Sequence, residues 1–72
     1  MSTRPFDELT KSLGKKVLIR LKGDRTIGGT MQSFDVHLNV IMEDAEEMEN
    51  GSVKAKHERI MIRGDNILWV SL

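Results

Sequence analysis

The chain has no cysteine and no tyrosine, and its 72 residues include one proline, one tryptophan and two phenylalanines. Without cysteine there is neither a disulfide framework nor a thiolate metal site, so the small size is not that of a stapled secreted module. No apolar run approaches the roughly 20 residues that a membrane-spanning helix needs. The N-terminus lacks the apolar core of a secretory signal. The expectation is a soluble, cytoplasmic protein with no membrane partner. Net charge is also lacking, since 11 basic residues stand against 11 acidic ones. At 31 % charged and 39 % hydrophobic, the composition is that of a folded domain rather than a disordered one. One domain covering 1–72 is expected. A chain this short buries only about 60 % of the surface its unfolded form exposes, so self-association is expected to supply further stability.

The absence of net charge conceals an uneven distribution. Glu43, Asp44, Glu46, Glu47 and Glu49 hold five of the 11 acids within seven positions, and setting them aside leaves 6 acids against the 11 bases. The bases gather at Lys15, Lys16, Arg20, Lys22 and Arg25, and again at Lys54, Lys56, Arg59 and Arg63. The pattern reads as one solvated acidic loop on a mildly basic body, which by itself says little about nucleic acid.

Residues 5–13 read as a short helix. Pro5 suits its first position, Asp7 and Glu8 its first turn and Gly14 its stop, while Phe6, Leu9 and Leu13 share one face. After Gly14 the period changes to two: Val17, Ile19 and Leu21 alternate with Lys16, Arg20 and Lys22, as in a strand with one buried face. Gly23 and Asp24 make a turn. A second strand is expected over 25–34, bent at Gly28 and Gly29 as at a barrel corner. Asp35 to His37 form a tight connection to a third strand containing Leu38, Val40 and Met42. The acidic segment, read as a loop over about 45–53, contains the hairpin signal Asn50-Gly51. A fourth strand covers about 53–62, a turn falls at 63–66, and a fifth strand covers 67–70. The methionines read mostly as core gap-fillers. One short helix followed by five short, bent strands predicts a mainly β fold, a small SH3-like antiparallel barrel. Its fourth and fifth strands are apolar edges that a second copy could cover.

One group of residues carries chemistry. Asp35, His37 and Asn39 are spaced so that an extended backbone would point all three to one side. Arg63, Gly64 and Asp65 lie at another loop that a small barrel would bring to the same end. His37 and Arg63 offer flat faces between which a single-stranded base could stack. Asn39 offers a donor and an acceptor that match the edge of uracil. Asp35 could orient Asn39 or His37, and Gly64 would let a backbone approach closely and free its N–H as a donor. The plainer alternative makes Asp35 and Asn39 turn residues with local backbone bonds, with His37 simply exposed. An enzyme or metal site built from Asp35, His37 and His57 is disfavoured: there are two histidines and no catalytic or zinc motif, so no enzyme, metal or cofactor is expected. Arg63-Gly64-Asp65 as an adhesion tripeptide and Asn50-Gly51-Ser52 as a glycosylation sequon are read as coincidences.

The stretch from Gly28 to Asp44, which includes Phe34-Asp35-Val36-His37-Leu38-Asn39, resembles the first Sm motif. Ile62-Arg63-Gly64-Asp65-Asn66-Ile67 resembles the second. From about Arg4 to Leu72 the chain is similar to the Sm-like (LSm) family, archaeal type, with the first motif over about 16–44 and the second over about 54–70. That resemblance implies an N-terminal helix on a strongly bent five-stranded barrel. It implies a ring, usually a heptamer, built by pairing the fourth strand of one subunit with the fifth of the next, so that 59–62 and 67–70 line the contact. It further implies binding of single-stranded, uridine-rich RNA at the inner rim, in RNA processing. His37 and Arg63 would stack on the base, Asn39 would read it, Asp35 would support Asn39, and Gly64 and Asp65 would lie in the loop beside it. Arg4 and Phe34 are candidates for a second RNA contact near the helix. No Tyr-Lys-His sequence marks the bacterial Hfq-type branch, and the absence of basic or Arg-Gly-rich tails favours a homo-ring over a mixed one. The alternative is a ring-shaped scaffold that docks protein partners through the acidic loop or its faces.

Overall fold

The alternating patterns become strands. In a computed structural model, which describes residues 4–72, a helix α1 (Pro5–Lys11) precedes β1 (Lys16–Leu21), β2 (Arg25–Phe34), β3 (Val40–Glu49), β4 (Ser52–Ile62), a 3-10 turn (Gly64–Asn66) and β5 (Ile67–Ser71). The strands form one antiparallel sheet in the order β4-β3-β2-β1-β5. Val17, Ile19 and Leu21 of β1 are buried as their alternation requires. They meet Ile27 and Met31 of β2, Val40, Met42 and Ala45 of β3, and Ile62 of β4 in one core. Met31 and Met42 fill that core, whereas Met61 is exposed on the edge strand β4.

The sheet curls because β2 and β3 do not stay in step. Their register shifts between Gly28 and Thr30 and again between Met31 and Ser33. At the first shift β2 passes so close to β3 that a Cβ on Gly29 would lie 2.9 Å from the Cα of Ala45 and 3.0 Å from the carbonyl oxygen of Glu43. Only glycine allows that approach, which is the physical content of the expected bend at this pair.

The two edges of the sheet, β4 and β5, are uncovered among the described residues. Met61 on β4 and Leu68 and Trp69 on β5 are at least half exposed, a row of unpaired backbone and apolar side chains of the kind that invites another strand.

Three expectations need correction. The helix ends at Lys11, short of position 13. The Ser12 hydroxyl donates to the Glu8 carbonyl at 3.0 Å, a side-chain bond that competes with helix continuation, and Gly14 turns left-handed to donate its N–H to Met31. Leu9 packs against the core, whereas Phe6 and Leu13 stay largely exposed; Phe6 meets Phe34 edge-on with centroids 5.0 Å apart. The third strand begins at Val40, so Leu38 and Asn39 belong to the connection.

The third correction concerns the acidic segment, which is strand rather than loop. β3 continues to Glu49 and only Asn50 and Gly51 turn the hairpin. The reason lies across the ladder. Glu43 faces Arg59 and Glu46 faces Lys56 in register, with ion pairs at 3.6 and 3.7 Å. Glu49 meets Lys54 at 2.8 Å, and Glu47 meets both His57 at 3.2 Å and Arg25 at 3.3 Å. Opposite charges facing each other across strands favour pairing. The acids thus neutralise the bases of β4, and the picture of a free acidic loop on a basic body is replaced by a mixed-charge ladder.

Candidate nucleic-acid interface

Asp35 organises the connection between β2 and β3. It does so in a turn, not in the extended backbone that the spacing suggested. One carboxylate oxygen, Oδ1, accepts the backbone N–H groups of His37 at 2.9 Å and Asn39 at 3.0 Å. The other, Oδ2, accepts the side-chain Nδ2 of Asn39 at 3.0 Å. The Asp35 N–H returns to the Asn39 carbonyl at 3.1 Å, and the Leu38 N–H to the Asp35 carbonyl at 3.0 Å. The Asn39 side chain, followed by its backbone N–H, holds the Asp35 carboxyl below the usual carboxylate range.

The turn after β4 reaches the same place. Gly64 donates its N–H to Oδ1 of Asn39 at 3.0 Å, so this N–H is not the free donor that the sequence suggested. A Cβ on Gly64 would collide with the carbonyl oxygen of His37 and lie 2.9 Å from the carbonyl carbon and oxygen of Leu38. The glycine is therefore required for contact between two stretches of the protein's own backbone.

These bonds fix the Asn39 amide without ambiguity. A carboxylate only accepts and a backbone N–H only donates, so Nδ2 must face Asp35 and Oδ1 must face Gly64. One amide hydrogen and one oxygen lone pair remain unused. His37, Asn39, Arg63, Gly64 and Asp65 line one open concavity. His37 is exposed, and the Arg63 side chain extends into solvent at 73 % exposure, touching Asp65 at 3.4 Å. Five of the six expected pocket residues thus line the concavity, and Asp35 stands behind Asn39. Arg4 and Phe34 lie elsewhere, at the helix: Arg4 precedes α1 and Phe34 packs on Phe6. His57 sits far along β4 opposite Ala45. Among the described residues no three His, Asp or Glu side chains gather as a metal would require. A larger hollow, bounded by Lys16, Leu18, Ala45, His57 and Leu72, opens between the far ends of β1 and β5 and the β3–β4 hairpin.

The two loops thus bring Asn39, with its amide pinned, into one concavity with His37 and Arg63. A family model of the LSM domain matches residues 7–72. The chain belongs to the Sm-like family. It is 45 % identical over 71 residues to an Sm-like protein of Archaeoglobus fulgidus, covering 99 % of this chain and 92 % of that one. An Sm-like protein of Methanococcoides burtonii is 42 % identical, with 99 % of each chain covered. Among solved structures, the Sm-like chain is similar to the Pyrococcus abyssii Sm protein in complex with a uridine heptamer, at a TM-score of 0.92 and 42 % identity over 96 % of this chain and 97 % of that one. The P. aerophilum SmAP1 heptamer gives a TM-score of 0.89 at 38 % identity over 99 % and 95 %.

The sequence missed what Leu38 does. Its backbone is left-handed, with φ of 60°, and no local signal in the sequence calls for that conformation at a leucine.

Proposed function

We propose that this Sm-like chain, read as one Sm domain over 1–72, assembles into a cytoplasmic homo-oligomeric ring. We further propose that it binds single-stranded uridine-rich RNA at the inner rim and serves RNA processing without catalysing a reaction. A heptamer is the favoured size, by likeness to the P. aerophilum heptamer. The unpaired edges of β4 and β5, with the exposed apolar side chains of Met61, Leu68 and Trp69, support edge-to-edge pairing between copies. Likeness to the uridine-bound Sm protein supports the ligand class.

The observation that carries the pocket is the locked amide of Asn39. A base stacked between His37 and Arg63 meets an acceptor and a donor in fixed order. Uracil offers N3–H to the oxygen and O4 to the remaining amide hydrogen. Cytosine and adenine offer the opposite order, and turning the amide to suit them would break its bonds to Asp35 and Gly64. Guanine presents a matching edge on a larger ring. Stacking contributes about 1–3 kcal/mol per base, and several such pockets in one ring multiply through avidity. Arg4, which precedes α1, and Phe34, which packs on the exposed ring of Phe6, are read as a second, weaker RNA contact.

Native mass spectrometry with and without oligo-U reports subunit number and RNA binding together. Fluorescence anisotropy with oligo-U, oligo-C and oligo-A then reads selectivity. A monomer at micromolar concentration overturns the ring, and equal affinity for the three oligomers overturns the pocket assignment.

A further inference from the structure

Left-handed backbone is placed with care in this chain. Among the described residues it occurs at Gly14, Gly23, Gly51, Asp24, Asp44, Asn50 and Leu38. Glycine adopts it freely and Asp and Asn tolerate it. A bulky side chain there is an outlier that persists only where its surroundings over-determine it. Leu38 alone breaks the pattern, and it sits between the two residues of the pocket loop, His37 and Asn39.

The surroundings of Leu38 are over-determined. Its own N–H is held by the Asp35 carbonyl. The residues on either side of it, His37 and Asn39, both donate their backbone N–H to a single oxygen, Oδ1 of Asp35, a concavity of the kind that a left-handed residue creates around an anion. Gly64 presses against the backbone of His37 and Leu38 from the other side. If Leu38 relaxed to the extended region, the Asn39 N–H would leave Oδ1. The Asn39 side chain would then lose its two anchors, Asp35 and Gly64.

The geometry points to Leu38 as a positioning residue for nucleotide binding: its left-handed backbone, rather than its side chain, keeps the Asn39 amide aimed before RNA arrives. This rests on the reading of the pocket as a uridine site. A replacement series separates backbone from side chain. Leu38→Asn keeps access to the left-handed region while removing the apolar group. Leu38→Ile keeps the volume and apolarity, but its branched Cβ opposes that backbone.

The test measures oligo-U affinity by anisotropy, subunit number by native mass spectrometry, and hydrogen exchange of the Gly64 amide without RNA. Leu38→Asn is expected to stay within about threefold of the parent, and Leu38→Ile to bind about tenfold more weakly, with subunit number unchanged in both. The Gly64 amide should stay protected in Leu38→Asn and lose protection in Leu38→Ile. Should Leu38→Ile not fold, Leu38→Thr takes its place, being also branched at Cβ. Parent-like affinity and protection in the branched variant, or equal losses in Leu38→Asn and Leu38→Ile, would overturn the inference. A parent protein that fails to bind oligo-U overturns the pocket reading instead, while the exchange measurement still decides what Leu38 does for Asn39.

Discussion

The two ends of β3 use carboxylates in opposite ways. At the hairpin end, Glu43, Glu46, Glu47 and Glu49 each meet a β4 side chain across the ladder, and the result is a strip of paired, mixed charge. At the pocket end, Asp35 forms no ion pair among the described residues; its oxygens are filled by two backbone N–H groups and one amide. The first arrangement cancels charge, and the second fixes geometry. Acids paired with cations on a surface add little stability. One carboxylate that accepts three N–H donors determines where a neighbouring side chain points. The zero net charge of the chain therefore bears on its ladder and hardly on its pocket.

The sharpest way to break this comparison is to remove what Asp35 aims. Asn39→Ala should cost about 1–3 kcal/mol per engaged site, compounded around a ring by avidity. Anisotropy should show oligo-U binding weakened by more than about tenfold, with subunit number intact by native mass spectrometry. Parent-like affinity would mean that the amide does not read the base.

Next in size is a pair of glycine substitutions, one at the pocket and one at the β2–β3 bulge. A methyl at Gly64 or at Gly29 meets backbone rather than a flexible side chain, so each variant should lose roughly 1–3 kcal/mol of stability, measured by denaturant unfolding. Only Gly64→Ala displaces His37 and breaks the bond to Asn39, so only it should also weaken oligo-U binding. Equal binding losses in both would show that the pocket merely reports general stability.

Much of the frame was legible in the sequence. The alternation of Val17, Ile19 and Leu21, the bend at Gly28-Gly29 and the turn at Asn50-Gly51 are local signals, and local structure obeyed them. The pocket residues were legible as a set, because two loops carried chemistry that a barrel gathers at one end. Their wiring was not. Gly64 bonds to Asn39 from 25 positions away, and nothing local announces that pairing. The ladder stayed hidden for a similar reason, since five acids in seven positions read as solvated until the bases of β4 stand opposite them. Leu38 was hidden because it contradicts its own propensity, and strain of this kind is visible only when the surrounding bonds are seen.

Acid should separate the two ends more gently. Hydrogen bonds from Asn39 hold the Asp35 carboxyl below its ordinary value, and the His57 ring together with Arg25 does the same for Glu47. A depressed folded-state value stabilises fully above the unfolded value and is lost as pH falls through the folded one. For Asp35 the loss thus lies below its ordinary value of 3.8. The side-chain amide resonances of Asn39 should hold their positions from neutral pH to about pH 5, where a free carboxyl is still ionised, and move only in stronger acid. Loss of the bond between the Asn39 amide and Asp35 already between pH 7 and 5 would show that something other than the Asp35 carboxylate holds the amide.

The smallest effect is expected from the ladder itself. Glu46→Gln removes an exposed pair at 3.7 Å, and exposed pairs contribute no more than about 1 kcal/mol, so unfolding should shift barely or not at all. Its consequence for RNA is the more telling measurement. The variant leaves Lys56 without its partner and raises the net charge by one per subunit. If bulk charge governed binding, affinity would rise and each newly engaged cation would steepen the salt dependence by about one logarithmic unit per tenfold change in salt. If stacking and base reading at His37, Asn39 and Arg63 govern it, affinity and salt slope should both match the parent, because Lys56 lies along β4 opposite Glu46 and outside the concavity that holds those three residues.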